Sequence, residues 1–327
     1  MILCASELRS DLRFDLQADL SWDLGKGIPD VAALVALAGD AGFDGIAIGA
    51  HAALDDVVPL VTAAAGAQLR VPVVAAPLGE GRLTPGRRLP YLAAMGDDDE
   101  RRAAVALFRR VVESVVPVGV GLVSVNLGAI GSQVGLPAIA RRFARRELDP
   151  EEDDAGVSAW EAVLGERRSL TGPIHDAFRH ALDRILPMAE RHGVTVALEI
   201  AGGPWGIPSP REAADLVAEY REAPLGITWD DARMQVLRTL RIAPAPERLA
   251  ALAAATRLRR AHEAVGLETG YLPGLGDPDG NASEHFQKAA PLATIVTGRP
   301  DSTREEVTRA RSLVSQSQAA AASAAAG

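Results

Sequence analysis

The chain has 327 residues, of which 48% are hydrophobic and 24% charged, so it can bury a sizeable core and is not an intrinsically disordered polymer. Its 43 acidic and 34 basic residues give a formal net charge of −9, which argues against nucleic acid as a partner. Cys4 is the single cysteine. This excludes an intrachain disulfide and a zinc site built from several cysteines, and it fits a reducing compartment.

The first residues, 1–13, lack the basic start and apolar core of a secretory signal. No stretch of the chain approaches the roughly eighteen uninterrupted apolar residues that a transmembrane helix needs. We therefore expect a cytoplasmic protein that has no membrane partner.

Short β-rich runs alternate with longer helical patterns, which is typical of strand–helix–strand units around a parallel sheet. In the first half of the chain, the pattern predicts strands over 13–17, 45–49, 71–76 and 122–127, and helices over 28–42, 55–65 and 97–116. The segment 128–171 is the least regular. We interpret it as a helical insertion after the fourth strand, serving as a lid, an interface or both.

In the second half, strands are predicted over 194–200, 225–229, 258–262 and 293–297, and helices over 173–192, from Ser209, within 234–255 and from 301 to about 314. Ser209, Pro210 and Glu212 have the spacing of a capping box with proline in the first helical turn, and Gly193 suits a left-handed helix end. Eight strand–helix pairs predict a single-domain (β/α)8 TIM barrel over 1–314. The low-complexity tail, 315–327, is expected to be disordered or a loose helix.

Catalytic groups of such barrels lie at the carboxyl ends of the strands. The residues at these predicted ends are His51, Asn126, Glu199, Asp230 with Asp231, and His262 with Glu263. Two carboxylates and one imidazole from three successive strands can converge on one divalent ion.

Several segments resemble the xylose isomerase-like TIM-barrel superfamily of sugar isomerases, epimerases and related enzymes. They are AERHGVTVALE (189–199), LGITWDDAR (225–233), the strand 258–262, YLPGLGDPDG (271–280) and the long segment 96–128. The resemblance implies a Mn, Mg, Co or Zn ion at the barrel mouth, held by Glu, Asp, His and Glu from strands five to eight. Glu199, Asp230 and His262 match the first three ligands.

The sequence departs from the family pattern at two places. Strand eight has Val296, Thr297 and Gly298 where the resemblance calls for a glutamate, and Arg233 stands where a histidine is common. An arginine cannot ligate a metal, but it can clamp a carboxylate or phosphate. Three interpretations stay open: a three-ligand metal site, a site in which His51 replaces the missing ligand, and a pocket without metal.

Each of the remaining candidate site residues could have a structural role instead of a functional one. Trp205 and Trp229 flank the predicted mouth, where they would wall the pocket or else pack in the core. One residue of the Asp230–Asp231 pair would cap the next helix, and the resemblance points to Asp230 as the residue in the mouth. His262 is a ligand or a hydrogen-bonded core histidine.

These features predict an isomerase, epimerase or dehydratase acting by metal-assisted proton abstraction on a small sugar-like or hydroxy-acid substrate. Glu199 would be the base, Asp230 and His262 metal ligands, and Arg233 the anchor of an anionic group. The second acid would be Glu263, Asp231 or His51, in that order. The alternatives are a metal-free lyase or cyclase of a specialised biosynthetic pathway and a non-catalytic ligand-binding descendant. A homodimer is expected by analogy with the fold.

Overall fold

A central sheet flanked by helices organises the protein. A computed structural model describes residues 35, 38–40, 42–43, 45–49, 54–78, 82–84, 87–88, 90–94, 97–130, 142, 154–203, 206–240, 242–265, 268–271, 293–296, 305–306 and 308–316. The predicted first strand, 13–17, and the end of the low-complexity tail, 317–327, lie outside these residues.

The sheet has six parallel strands whose spatial order is their order along the chain. They are β1 (Val73–Ala75), β2 (Leu122–Val125), β3 (Thr195–Glu199), β4 (Leu225–Asp230), β5 (Thr256–Ala261) and β6 (Ala293–Val296). Gly45 and Ile48 form parallel bridges to Arg70 and Val74, so the predicted second strand lies beside β1. Seven successive strand segments that pair in chain order, all parallel, form the described part of the predicted (β/α)8 barrel.

The helices follow the strands along the chain. They are α1 (Leu54–Gly66), α2 (Asp98–Val115), α3 (Asp154–Ser169), α4 (Thr171–Arg191), α5 (Pro210–Glu219), α6 (Asp231–Thr239) and α7 (Pro246–Ala254), and residues 305–306 and 308–316 are also helical. No helix in the part of the chain that is described is long and apolar enough to cross a membrane.

Local signals in the sequence explain where several of these helices begin and end. Asp97 caps α2 by accepting the Glu100 backbone N–H, and Ser209 with Glu212 forms the predicted capping box of α5. Gly193, just after α4, has φ of 65°, a left-handed conformation in which glycine has no steric cost.

Some elements differ from the prediction. The single helix expected within 234–255 is divided into α6 and α7, because Pro244 and Pro246 follow Leu240 and interrupt the helical hydrogen-bond ladder. The irregular segment 128–171, by contrast, contains a sixteen-residue helix, α3, as expected of the predicted helical insertion. Three short antiparallel ribbons were not predicted: Arg82–Thr84 with Arg87–Arg88, Gly128–Ala129 with Gly206–Ile207, and Glu263–Val265 with Glu268–Tyr271.

Two apolar regions lie on opposite faces of the sheet. Between the sheet and the helices, a large core includes fully buried Phe108 and Phe178, each of which contributes about 2 to 3 kcal/mol by its burial. On the inner face, a small cluster consists of Ala47, Val73, Leu122, Ala197 and Leu258. Because strand residues alternate between faces, the side chains two residues further along each strand lie above this inner cluster, toward the carboxyl edge.

Candidate active site

Three reactive side chains lie along the carboxyl edge of the sheet. Glu199 is the last residue of β3, Asp230 is the last of β4, and His262 directly follows β5. In the strand register, Glu199 is opposite Thr228, and Asp230 is opposite Arg260. All five residues are buried. The structure thus brings the three residues predicted to converge into one cluster.

Asp230 serves both as a helix cap and as the partner of the imidazole. Its Oδ1 accepts the backbone N–H of Arg233 at 2.8 Å, which begins α6, and the same oxygen lies 2.7 Å from His262 Nε2. Burial alone would raise the pKa of Asp230, but the imidazole of His262 and the charge of Arg233 hold it well below its ordinary value. Asp230 is therefore a carboxylate at neutral pH.

Glu199 is enclosed by cationic and hydroxyl donors. Its Oε1 accepts hydrogen bonds from Arg260 Nη2 at 2.8 Å and from Ser124 Oγ at 3.1 Å, and its Oε2 accepts one from Arg233 Nη2 at 3.1 Å. Burial opposes ionisation, yet the charges of Arg260 and Arg233 lower the pKa of Glu199 below its ordinary value. Glu199 is thus an ion-paired carboxylate.

Arg233 links the two carboxylates. Its Nη2 donates to Glu199 Oε2 at 3.1 Å, its Nε lies 3.5 Å from Asp230 Oδ2, and its Nη1 donates to the carbonyl of Ile200 at 2.9 Å. The side chain of Arg233 is 27% exposed, whereas those of Glu199 and Arg260 are each 10% exposed. Of these two arginines, Arg233 is the more accessible to solvent.

Two contacts of Glu199 were not predicted from the sequence, the hydroxyl of Ser124 and the guanidinium of Arg260. Arg260 is the charged one. It lies in β5 two residues before His262, so the two side chains point to the same face of the strand. Only residues at the strand ends were predicted to belong to the site. Because side chains two residues apart lie on the same face of a strand, the position of His262 would also have placed Arg260 inside the barrel.

Asp231 and Trp229 belong to a different group, on the outer face of the sheet. Trp229 Nε1 donates to Asp231 Oδ1 at 3.0 Å, and Arg259 donates to Asp231 Oδ2 from Nε at 3.1 Å and from Nη2 at 2.8 Å. Trp229 is fully buried against apolar residues of α5, α6 and α7. The expectation that Trp229 walls the pocket and Asp231 contacts substrate is corrected, because residues adjacent to Asp230 and Arg260 point away from the barrel interior.

The other predicted residues have less direct relations to the cluster. Asn126 follows β2, and its Oδ1 accepts the backbone N–H of Gly128 at 2.8 Å, so it orders the loop after the strand. Glu263 is half-buried and pairs with Tyr271 in a short ribbon. His51 and Trp205 lie outside the described residues.

The inserted helix α3 is attached to the loop that follows β3. Arg167, near its end, donates to Glu212 Oε2 at 2.5 Å and to the Gly206 carbonyl at 3.1 Å. Gly206 in turn belongs to the ribbon that joins the loops after β2 and β3. The insertion therefore fixes the chain directly beyond Glu199.

Comparison with known proteins identifies the family. The family model described as xylose isomerase-like TIM barrel matches residues 35–262. The chain belongs to this family. None of the curated proteins matches the chain.

Solved structures similar to this family member include sugar enzymes. The apo structure of 3-keto-D-glucoside 4-epimerase from E. coli has a TM-score of 0.60 and 14% identity, covering 94% of this chain and 100% of that one. Mannonate dehydratase from Streptococcus suis has a TM-score of 0.56 and 16% identity, covering 92% and 93%. IOLI protein with a binding zinc atom has a TM-score of 0.54 and 15% identity, covering 88% and 92%. At these identities the likeness shows the fold.

The family resemblance implies a divalent ion, with Glu199, Asp230 and His262 as its ligands here. Both oxygens of Glu199 already accept bonds from guanidinium groups, and Asp230 Oδ1 lies within hydrogen-bond distance of His262 Nε2. Among the residues described, no group of three or more His, Cys, Asp or Glu side chains could hold a metal ion. A divalent ion about 5 Å from one guanidinium would meet a repulsion of about 7 kcal/mol at an effective dielectric constant of about 20. This arrangement does not fit a divalent cation.

Proposed function

We propose that this protein is an isomerase or epimerase that moves a proton at the carbon next to a carbonyl group of a small sugar-like or hydroxy-acid substrate. The observation that carries the proposal is the buried cluster at the carboxyl ends of the strands, where an imidazole held by Asp230 lies beside two guanidinium groups. Enolisation requires a group that transfers a proton and cations that stabilise the developing negative charge, and both lie at this edge of the sheet.

His262 is the proposed proton-transfer group. Because Asp230 is ionised and can only accept, the Nε2 of His262 carries the hydrogen in their 2.7 Å contact. In the neutral ring, Nδ1 is then the basic atom. This assignment replaces Glu199 as first choice of base, since a carboxylate stabilised by two arginines is a weak proton acceptor.

Arg233 and Arg260 are the proposed stabilisers of negative charge. Removing a proton beside a carbonyl moves charge onto oxygen, and fixed cations in a buried site lower the energy of that enediolate. The larger exposure of Arg233 supports a second role, the binding of a carboxylate on the substrate through its planar fork. Glu199 would keep both guanidinium groups in position.

The test is the incorporation of solvent deuterium. The protein is incubated in D2O with ketoses, aldoses and aldonic or uronic acids, and deuterium at the carbon next to the carbonyl is measured by mass spectrometry and NMR. We expect His262→Asn to lose about 100-fold or more of the exchange. His192→Asn, at the exposed end of α4, is the control and should retain it. Exchange that is unaffected by His262→Asn would refute its role.

Dehydration of a hydroxy acid is the second candidate, supported by the two guanidinium groups that can hold a substrate carboxylate. It begins with the same proton removal, but a hydroxide then leaves from the neighbouring carbon and the enol product becomes a 2-keto acid. The mass of the product separates the two reactions, because dehydration removes one molecule of water and isomerisation retains it. Ligand-induced thermal stabilisation without either product would instead indicate a binding protein.

A further inference from the structure

We infer that Arg233 and Arg260 together take the place of a divalent cation at the barrel mouth and exclude such ions from it. The inference concerns what the site binds and does not depend on the reaction proposed above. It rests on the contacts made by the three residues that match the family's metal ligands, and on where the two arginines lie relative to them.

The contacts of Glu199 are the strongest support for two arginines in the place of a metal ion. Arg260 Nη2 lies 2.8 Å from one carboxylate oxygen and Arg233 Nη2 lies 3.1 Å from the other. The carboxylate is thus bracketed by positive charge, and a hydroxyl donor, Ser124 Oγ, reaches it at 3.1 Å as well. A metal bound to either oxygen of Glu199 would share that oxygen with a guanidinium group, whose positive charge would repel the ion.

Both carboxylate oxygens of Asp230 also have neighbours of their own. Its Oδ1 accepts the backbone N–H of Arg233 at 2.8 Å and lies 2.7 Å from His262 Nε2, and its Oδ2 is 3.5 Å from Arg233 Nε. The 2.7 Å contact with Asp230 occupies His262 Nε2. Metal binding through this nitrogen would require that contact to be broken.

The charge balance explains the effect of the arginines. Glu199 and Asp230 contribute two negative charges to a buried cluster, and Arg233 and Arg260 contribute two positive ones. With the arginines present, the charges of these four side chains sum to zero. If one arginine were removed, the same oxygens would form a net negative pocket with an imidazole beside it, which is a donor set that divalent ions accept.

The experiment measures metal binding directly by equilibrium dialysis of Mn²⁺, with free Mn²⁺ followed by electron paramagnetic resonance, and repeats the measurement with Zn²⁺ and Co²⁺. The wild-type protein is compared with Arg233→Gln and Arg260→Met. Arg167→Met is the matched control, since it removes a similarly buried arginine from a carboxylate, Glu212, outside the cluster. Circular dichroism establishes that each variant is folded.

We expect the wild type and Arg167→Met to bind no stoichiometric Mn²⁺. Arg233→Gln or Arg260→Met should bind about one equivalent, at least about tenfold more tightly than the wild type, and adding His262→Ala should abolish that binding. Arg233→Gln is the milder change, because its side chain is partly exposed, so the test stands if Arg260→Met does not fold.

Two results would overturn the inference. If the wild type takes up one equivalent of any of these ions and loses it with His262→Ala, the arginines do not exclude metal. If no folded variant gains binding, the arginines are not what keeps the ion out. Neither result bears on the deuterium-exchange assay, so failure of this inference and failure of the proposed function can be told apart.

Discussion

Burial should make the Arg260–Glu199 ion pair far more important for stability than an exposed pair of the same length. The Arg260 Nη2–Glu199 Oε1 distance is 2.8 Å, with each side chain 10% exposed. The Arg179 Nε–Glu219 Oε1 distance is also 2.8 Å, but the side chains are 51% and 39% exposed. The two contacts are therefore equal in length but differ in their access to water.

The expected magnitudes follow from this difference. Removing one member of a buried ion pair costs about 3 to 5 kcal/mol, because the other charge stays buried. Since Glu199 keeps Arg233 at 3.1 Å, we expect Arg260→Met to lower the free energy of unfolding by about 3 kcal/mol, at the low end of that range. Arg179→Met should cost less than about 1 kcal/mol, as exposed pairs do.

A double-mutant cycle separates the charge effect from lost packing. Replacing both charged groups, as in Glu199→Gln with Arg260→Met, removes the stranded charge. The double variant should therefore be more stable than Arg260→Met alone, with a coupling energy of about 2 kcal/mol. Urea unfolding followed by circular dichroism measures all four proteins. A cost below about 1 kcal/mol for Arg260→Met, or strictly additive effects, would refute the reasoning that these charges stabilise each other inside the barrel.

Three further predictions concern acid stability, a helix cap and a close backbone contact. The pKa values of Asp230 and Glu199 are lowered in the folded protein, so their stabilisation should be fully present above the unfolded values of about 3.9 and 4.3 and be lost as the pH falls through the folded values. Unfolding measured from neutral to acidic pH should show this loss, and Asp230→Asn should have a shallower slope; an unchanged slope would contradict the assignment. Ser209→Ala should cost about 1 kcal/mol in urea unfolding, because the α5 capping box is lost, and no change would show that the cap is not needed. Gly45→Ala should destabilise the protein by about 1 to 3 kcal/mol, because a methyl group there would collide with the backbone oxygen of Arg70; a thermal midpoint equal to that of the wild type would exclude this contact.

Much of the barrel could be predicted from the sequence because its signals are local. The strands β2, β3 and β4 are short and largely apolar runs, and these three and β5 all begin and end within about two residues of the predicted positions. The capping box of α5 depends on three side chains within four positions. Helices and strands of this kind are specified by residues close together in the chain.

The ribbon between the loops that follow β2 and β3 could not be predicted in this way. Gly128–Ala129 pairs with Gly206–Ile207, about as far apart in sequence as β2 and β3 themselves. Two-residue strands carry no alternation pattern, and their pairing is decided by where the barrel brings the loops together. The same is true of Gln235, whose side-chain oxygen accepts the Ala264 backbone N–H at 2.5 Å.

The local sequence pattern places Glu199, Asp230 and His262 at strand ends, and hence at one edge of the sheet. Contacts between distant segments establish that Asp230 both caps α6 and lies beside His262, while Asp231 binds Arg259. They also pair Glu199 with Arg260, 61 residues further along the chain. The physical reason is that strand alternation fixes the face of the sheet on which a side chain lies, whereas its ion-pair partner depends on which strand the barrel places next to it.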